Sequence, residues 1–332
     1  MRSASKVFAV TAIAASMALA ACSTGTTGTA ASSGAAATSA AGGGQKYIAI
    51  VSKGFQHQFW QAVKKGAEQE AAKQGVKVTF EGPASEKEVE AQITMLQNAL
   101  AKKPDAIAFA ALDSKAASGP IAAIKTAGIP MVAFDSGVDS DYPVSTASTD
   151  NKAAAAEGAK HMCTLIGGTG KVALVVHDQT SKSGTDRRDG FIAGIKANCP
   201  NVTLLDAQYG GGDQAKSADI TKAIIAANPD LKGIFGSNEG SAIGVVKGVQ
   251  EAKKTGLAIV GFDSGKAQKD AITSGLMAGA ITQNPVGMGE ETVKAAIKAI
   301  AKETLPKTID TGFYWYDKTN ITDAKIAAVL YD

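Results

Sequence analysis

The sequence predicts an α/β fold made of two doubly wound halves, each a parallel sheet with helices on both faces. Three observations carry that expectation. From Tyr47 onward, strand-like apolar runs recur at intervals of roughly 25–30 residues with helix-like segments between them, the rhythm of βαβ units. The runs are almost continuously apolar, as in strands covered on both faces. Around residues 140–170 the stretch "SGVDSDYPVSTASTDN" breaks the rhythm, which divides the chain into two halves and argues against one closed barrel.

In the first half the strand-like runs are "YIAIV" (47–51), "VKVTF" (76–80), "AIAFA" (106–110) and "PMVAF" (130–134). Phe59, Val63, Ala67 and Ala71 recur every four residues and would line one helix face; Val89, Ile93, Leu96 and Leu100 do the same for a second helix. Ser85, with Glu88 three residues on, reads as a capping box for that second helix. In "AGIP" (127–130) the glycine ends a third helix and the proline opens the next strand. The second half repeats the pattern with "KVALVV" (171–176), "VTLLDA" (202–207), "GIFGS" (233–237), "LAIVGF" (257–262) and "MAGAIT" (277–282).

The first 45 residues are of another kind. Arg2 and Lys6 precede an apolar run, Val7 to Cys22. That run is shorter than the ~20 residues of a membrane span and has the layout of an export signal. Leu19-Ala20-Ala21-Cys22 resembles the lipobox of bacterial lipoproteins, which implies cleavage before a lipid-modified Cys22. Residues 23–45 contain no charge and no large apolar side chain, so they read as a flexible Ser/Thr/Gly/Ala linker. The expected layout is a signal peptide at 1–21, a lipidated cysteine and linker at 22–45, and a folded body anchored outside the membrane. Of the other two cysteines, Cys163 and Cys199, each falls near the end of a predicted helix, and an exported chain would more often bridge such a pair than leave it free. Neither has partners at metal-ligand spacing. The whole chain is 20% charged with a formal net charge of +3, and its basic residues are scattered, which speaks against nucleic acid as a partner.

In open α/β sheets ligands bind beyond the carboxyl ends of the strands. Those ends read "SKGFQHQFW", "FDSG" (Asp135, Ser136), "HDQTSKSGTDRRDGF", "SNEGS" (Asn238, Glu239), "GFDSG" (Asp263) and "TQNP" (Gln283). A catalytic reading is thin. His57, His161 and His177 have no nucleophile elbow to serve, "GGTG" (167–170) precedes its strand, and Asp135, Asp263 and Glu239 would make an unusual glycosidase on two sheets. A binding reading uses everything. Asp135, Arg187, Asn238, Asp263 and Gln283 are planar polar groups suited to paired hydrogen bonds with hydroxyls, and Phe59 and Trp60 offer a platform for a ring's C–H patches. Asp263 also reads as a helix N-cap.

From Lys46 to about Asp332 the chain resembles the periplasmic sugar-binding proteins of the ribose/galactose type, the substrate-capturing subunits of ABC importers. The resemblance rests on "IAIVSKGFQHQFW", "GIPMVAFDS", "STASTDN" (145–151), "RRDGF" (187–191), "NPDLKGIFGSNEGSAIG" (228–244), "IVGFDSG" (259–265) and "ITQNP" (281–285), in this order. It implies the type I periplasmic binding protein fold: two lobes, 46–149 plus 285–312 and 150–284 plus 313–332, joined by a three-segment hinge with crossings near 148–151, 283–286 and 311–314. By the same resemblance the ligand-binding set is Lys53, His57, Phe59, Trp60, Asp135, Ser136, Asp186, Arg187, Asn238, Asp263 and Gln283. Arg188 is the fallback for Arg187. His57 stands where ribose-type members often have Asn, Ser136 replaces an Arg, and near Gly212 an aromatic is missing, with Tyr209 the nearest substitute. Lys53 and Asp186 resemble the autoinducer-2 and deoxysugar branches.

The expected function is a monomeric, lipid-anchored solute-binding protein that captures a monosaccharide or polyol and delivers it to an ABC permease. It is expected to use no metal or cofactor and to catalyse nothing. A receptor for an autoinducer-2-like signal on the same scaffold is the second reading, and a carbohydrate-active enzyme the third.

Overall fold

The computed structural model describes residues 44–332; the expected signal peptide, Cys22 and nearly all of the linker lie outside the described residues. The first half carries β1 (Tyr47–Val51), α1 (Gln58–Gln74), β2 (Lys77–Glu81), α2 (Val89–Ala101), β3 (Ala106–Phe109), α3 (Ser118–Thr126), β4 (Met131–Phe134) and β5 (Thr146–Ser148). The second half continues with α4 (Asn151–Leu165), β6 (Gly170–Val176), α5 (Lys182–Asn198), β7 (Val202–Leu204), β8 (Gln208–Tyr209) and α6 (Gln214–Ala227). It then runs through β9 (Leu231–Gly236), α7 (Glu239–Glu251), β10 (Ala258–Phe262), α8 (Lys266–Thr273) and β11 (Gly279–Gln283). The chain returns to the first sheet through α9 (Pro285–Ile300) and β12 (Thr308–Asp310), and ends with β13 (Phe313–Asp317) in the second sheet and α10 (Ala324–Ala327).

The two sheets have one plan. The first is ordered β12-β5-β4-β3-β1-β2 and the second β13-β11-β10-β9-β6-β7, with β8 also beside β6. Every pairing is parallel except β11 with β13. In each sheet the first strand of its half sits inside, so strand order reverses beside it. That reversal opens a crevice at the carboxyl ends. Parallel sheets need cover on both faces. Accordingly, each sheet buries two separate cores: Val63, Phe134 and Val293 on one side of the first and Leu96, Phe109 and Ile124 on the other, Ile234, Val245 and Tyr316 against Phe191, Phe235 and Phe262 in the second.

Several local expectations need correction. The second helix starts at Val89 without a side-chain cap, so Ser85 and Glu88 form no capping box. They instead close a turn ahead of it, Ser85 Oγ donating to Glu88 Oε1 at 2.9 Å, because Glu86 within that turn is drawn into the interior. The "VTLLDA" run breaks after Leu204 and resumes as β8 on the same edge of β6. The short strands β5 and β12 had no distinct apolar signal, and the antiparallel β13, with its aromatic run Phe313–Tyr316, was not read as a strand. Cys163, in α4, and Cys199, the C-cap of α5, form a disulfide with 5.8 Å between their Cα atoms, fastening two consecutive helices on one face of the second sheet. Among the described residues no helix is long and apolar enough to cross a membrane.

The chain passes between the sheets around 149–150, 284 and 311–312, and one hydroxyl gathers the three passages. Thr149 Oγ1 lies 2.9 Å from Gln283 Oε1 and 3.4 Å from the Gly312 carbonyl, its two acceptors. The C-terminal end does not keep to the second half: Tyr331 packs on Phe59 in the first half's core, 6.2 Å between ring centroids.

Glycines set the closest helix contact. A Cβ on Gly66 of α1 would stand 2.0 Å from the Val286 carbonyl oxygen of α9, and one on Gly289 would stand 2.1 Å from that of Val63. Backbone meets backbone here, so nothing can swing aside. Gly66→Ala is therefore expected to destabilise the protein by about 1–3 kcal/mol, read as a lower urea midpoint at unchanged slope. Gly119→Ala, in α3 with open space around its Cβ, should be neutral or slightly stabilising.

Candidate functional site

The carboxyl ends of the two sheets face each other across a cavity lined by twelve side chains: Lys53, His57, Phe59, Trp60, Glu86, Asp135, His177, Ser183, Arg187, Asn238, Asp263 and Gln283. Its volume is about 10 Å³, far below the ~300–1,000 Å³ common for small-molecule pockets, so the lining side chains nearly fill the cleft themselves.

Most of these groups arrive from the end of a strand or the first turn of a helix; Glu86 comes from the turn before α2 and Arg187 from the second turn of α5. Asp135 follows β4 and Asp263 follows β10, each within the tetrapeptide Phe-Asp-Ser-Gly, and each in the left-handed region with φ of 53° and 80°. Non-glycine residues pay a steric cost there, one that Asp tolerates better than most. The turn aims both carboxylates along the strand axis into the crevice. Asp263 is held on both sides, accepting from Gln283 Nε2 (2.7 Å) and from the Glu239 N–H (2.9 Å). It thus serves the first turn of α7 and is not the N-cap of its own α8, a place taken by Gly265. Asp135 differs: among the described residues nothing donates a hydrogen bond to its carboxylate, although it is only 4% exposed. Burial pushes its pKa up to about 6 against the opposing pull of Lys53 and Arg187.

Arg187 enters from α5. Its Nε donates to Asn151 Oδ1 (2.7 Å), its Nη1 to the Ser237 carbonyl (3.0 Å), and its guanidinium lies 3.8 Å from the Phe262 ring centroid. Two edges are anchored and Nη2 is left for the cavity. Lys53 Nζ donates to Ser183 Oγ at 3.2 Å, with Asp178 Oδ2 at 3.8 Å. Burial works against its charge, but Glu86, Asp178 and Asp135 together hold its pKa above the ordinary lysine value. Asn238, the N-cap of α7, accepts from the Ser241 N–H (2.9 Å) and donates to Glu86 Oε2 (3.3 Å).

Phe59 and Trp60 answer to two roles at once. They are 4% and 1% exposed and belong to the core of the first half, yet both line the cavity. Trp60 Nε1 donates to Glu86 Oε1 at 2.7 Å.

Some expected residues lie elsewhere. Asp186 is one residue before Arg187, about 100° around the helix. With Arg187 turned inward it is turned out, paired with Lys182 and, at 3.8 Å, with Lys152. Ser136 does not line the cavity; it sits behind it, accepting from the Ser183 N–H at 3.2 Å across the two halves. Arg188 is bound to Asp189 and Tyr209, so the fallback is not needed and Tyr209 is no cavity aromatic. The space beside Gly212 is filled instead from the opposite half: a Cβ there would stand 2.9 Å from Glu86 Oε2 and 3.3 Å from the His57 ring. His161 stacks on Trp315, 3.8 Å between centroids, remote from the cavity.

Glu86, His177 and Ser183 were missed by sequence reading. Glu86 lay hidden in what looked like a capping motif, and Ser183 among the small residues of a loop. His177, in "HDQTS", was weighed only as a catalytic residue. The His177 backbone N–H donates to Ser237 Oγ, and the ring Nδ1 of His177 is hydrogen-bonded to the same hydroxyl at 2.7 Å. Burial lowers its pKa to about 3, so the ring stays neutral.

His57 is the opposite case. Its Nε2 donates to the Gly212 carbonyl at 2.9 Å, and Nδ1 faces Glu86 Oε1 at 3.3 Å. Burial alone would depress its pKa, but the charge and hydrogen bond of Glu86 raise it to about 9, while Glu86 falls well below the usual carboxylate value. A raised histidine pKa stabilises the fold fully below the unfolded value of ~6.5 and loses that contribution as pH rises through 9. The His57 ring is expected to titrate near pH 9 by NMR, and in Glu86→Gln to fall to 6.5 or lower, where burial dominates; an unchanged value would refute the pairing.

Among the described residues no group of three His, Cys, Asp or Glu side chains is placed to hold a metal ion. The three carboxylates weighed for acid–base work are not disposed for it, since Glu239 is committed to the backbone of α1.

Comparison with known proteins agrees with this architecture. The D-allose-binding periplasmic protein of Escherichia coli K12 is 30% identical over 260 residues, covering 76% of this chain and 83% of the relative. The ribose import binding protein of the same organism is 25% identical over 260 residues, covering 77% and 85%. An ABC transporter solute-binding protein from Agrobacterium vitis, solved with α-D-tagatopyranose, superposes with a TM-score of 0.84 at 32% identity over 87% of this chain and all of the other. A second from that organism, with bound D-fucose, gives 0.82 at 36% identity over 86% and all of the other. These relatives are transport binding proteins, not enzymes. The family model of the periplasmic binding protein domain matches residues 48–304, and the chain belongs to that family.

Proposed function

We propose that this chain is an extracytoplasmic solute-binding protein of an ABC importer, which captures one neutral monosaccharide or related polyol between two closing lobes. The observation that carries the reading is the Asp135 carboxylate: buried, without a protein donor, and set in the cleft lining with Arg187 and the Phe59–Trp60 pair. Burying such a carboxylate unpaired is costly, so it calls for hydroxyl donors from a ligand. Three cationic side chains (Lys53, His57, Arg187) meet three carboxylates (Glu86, Asp135, Asp263) in the lining, which suits an uncharged ligand. The sugars named for the relatives, D-allose, ribose, tagatose and D-fucose, fit that class. Attachment through Cys22 and delivery to a permease complete the proposal. The autoinducer-like reading draws on Lys53 and Asp186 together; Lys53 lines the cavity but Asp186 does not, and we do not carry it further.

Thermal unfolding of the protein, stripped of ligand in denaturant and refolded, tests the class. Against a panel of pentoses, hexoses, deoxysugars and polyols at millimolar concentration, a micromolar binder should add about 4 kcal/mol, raising Tm by about 8–16 °C. A flat panel would overturn the reading.

For the sugar that binds, Asp135→Ala and Arg187→Ala should each weaken affinity by about 2–5 kcal/mol. The sign of the pH dependence follows from Asp135. A ligand that donates to the ionised carboxylate favours that form, so affinity should be constant above pH 6 and fall below it, by up to about tenfold per unit. Affinity unchanged in both variants, or flat from pH 7 to 5, would remove Asp135 from the site.

A further inference from the structure

Glu239 is the carboxylate that the binding site does not use. It is the first residue of α7, in the second half, yet its side chain crosses to the first. Oε1 accepts the Gln58 N–H and Oε2 the Phe59 N–H, each at 3.0 Å. These are the first two N–H groups of α1, which have no partner within their own helix. His57, the N-cap of α1, provides no side-chain cap, because its ring is turned to Glu86 and Gly212. The cap is supplied from the other half.

The arrangement is reciprocal. Gln58 Oε1, in the first half, accepts the Lys266 N–H at 2.7 Å, the first N–H of α8 in the second half. That helix likewise has no cap of its own, its N-cap being Gly265. The missing side chain at Gly265 is what lets the two caps pass: a Cβ there would stand 2.8 Å from Gln58 Oε1 and 3.0 Å from Glu239 Oε1. Behind the carboxylate, the Glu239 N–H donates to Asp263 Oδ2 at 2.9 Å, and the Tyr331 hydroxyl lies 3.4 Å from Glu239 Oε2.

We propose that Glu239 is a positioning residue for ligand binding, one that caps α1 only when the halves are closed and so ties closure to the seating of Phe59 and Trp60 at the head of that helix. The inference rests on the two-lobe reading of function above. A carboxylate on a helix N-terminus is a charge-assisted contact made with the helix dipole. It exists only across the closed cleft, so it slows opening without speeding encounter. Gly265 keeps the passage free, and Gln58 makes the matching contact in the other direction.

Amide exchange of ¹⁵N-labelled protein, with and without the sugar from the panel, tests this together with stopped-flow binding. In the closed wild-type protein the Gln58 and Phe59 amides should be protected. In Glu239→Gln both should exchange at least about tenfold faster, with amides deeper in α1 and in β9 unchanged. The dissociation rate should rise at least about tenfold and the association rate should hold within about threefold. Gly265→Ala should reproduce the faster dissociation while leaving the Tm of the ligand-free protein intact, an outcome that a merely structural role for Glu239 would not give. Equal protection in wild type and Glu239→Gln, or none in either state, would overturn the proposal. If no sugar binds, protection of Gln58 and Phe59 that Glu239→Gln abolishes would keep the caps while the sugar reading falls.

Discussion

The ion pair of His57 and Glu86 sets the terms for the rest of the cleft. Two opposite charges taken out of water recover their desolvation cost only if nearly every remaining donor and acceptor is met. Here Glu86 takes the indole N–H of Trp60 and the amide of Asn238, and His57 gives its second proton to the Gly212 carbonyl. Two of these partners belong to the other half of the molecule, so the pair is fully satisfied only when the halves meet. Its local consequences are visible in the backbone: α2 begins late, and Gly212 and Gly240 lack side chains because the His57 ring and a carbonyl occupy the space.

The shared strand order of the two sheets turns that pair into part of the proposed binding site. Each sheet presents its reversal point and its carboxyl ends to the other, so loops distant in sequence converge without any of them being long. The linkage to the passages between the sheets is short. Asp263 bonds Gln283, Gln283 bonds Thr149, and Thr149 also reaches Gly312, so Asp263 stands three hydrogen bonds from the third passage.

How much of this was legible in the sequence follows from what each feature depends on. The α/β rhythm was plain, because parallel strands buried on both faces must be apolar throughout, and "AIAFA" or "KVALVV" can be little else. The strand-end residues were legible for a related reason: topology alone sends Asp135, Asn238, Asp263 and Gln283 to one rim. The short strands β5 and β12 were not, since three residues carry no period. Asp186 and Arg187 show the limit of adjacency, as neighbours on a helix face different ways. Glu86 was hidden most thoroughly. Its partners come from two other segments, the head of α1 and Asn238, and in one dimension the Ser85–Glu88 spacing offers a satisfactory local explanation for the same stretch.

The left-handed turn of the two Phe-Asp-Ser-Gly segments bears on how such a site can diversify. At φ of 53° and 80° a β-branched or bulky residue is strained before any ligand is considered, which leaves Asp, Asn and Gly as the affordable choices. Drift at Asp135 and Asp263 is confined by the backbone whatever the cargo. The positions with ordinary dihedrals, His57, Ser183 and Asn238 among them, bear no such limit. A lineage changing its cargo would accumulate substitutions there, around two acids that stay fixed for reasons of chain geometry.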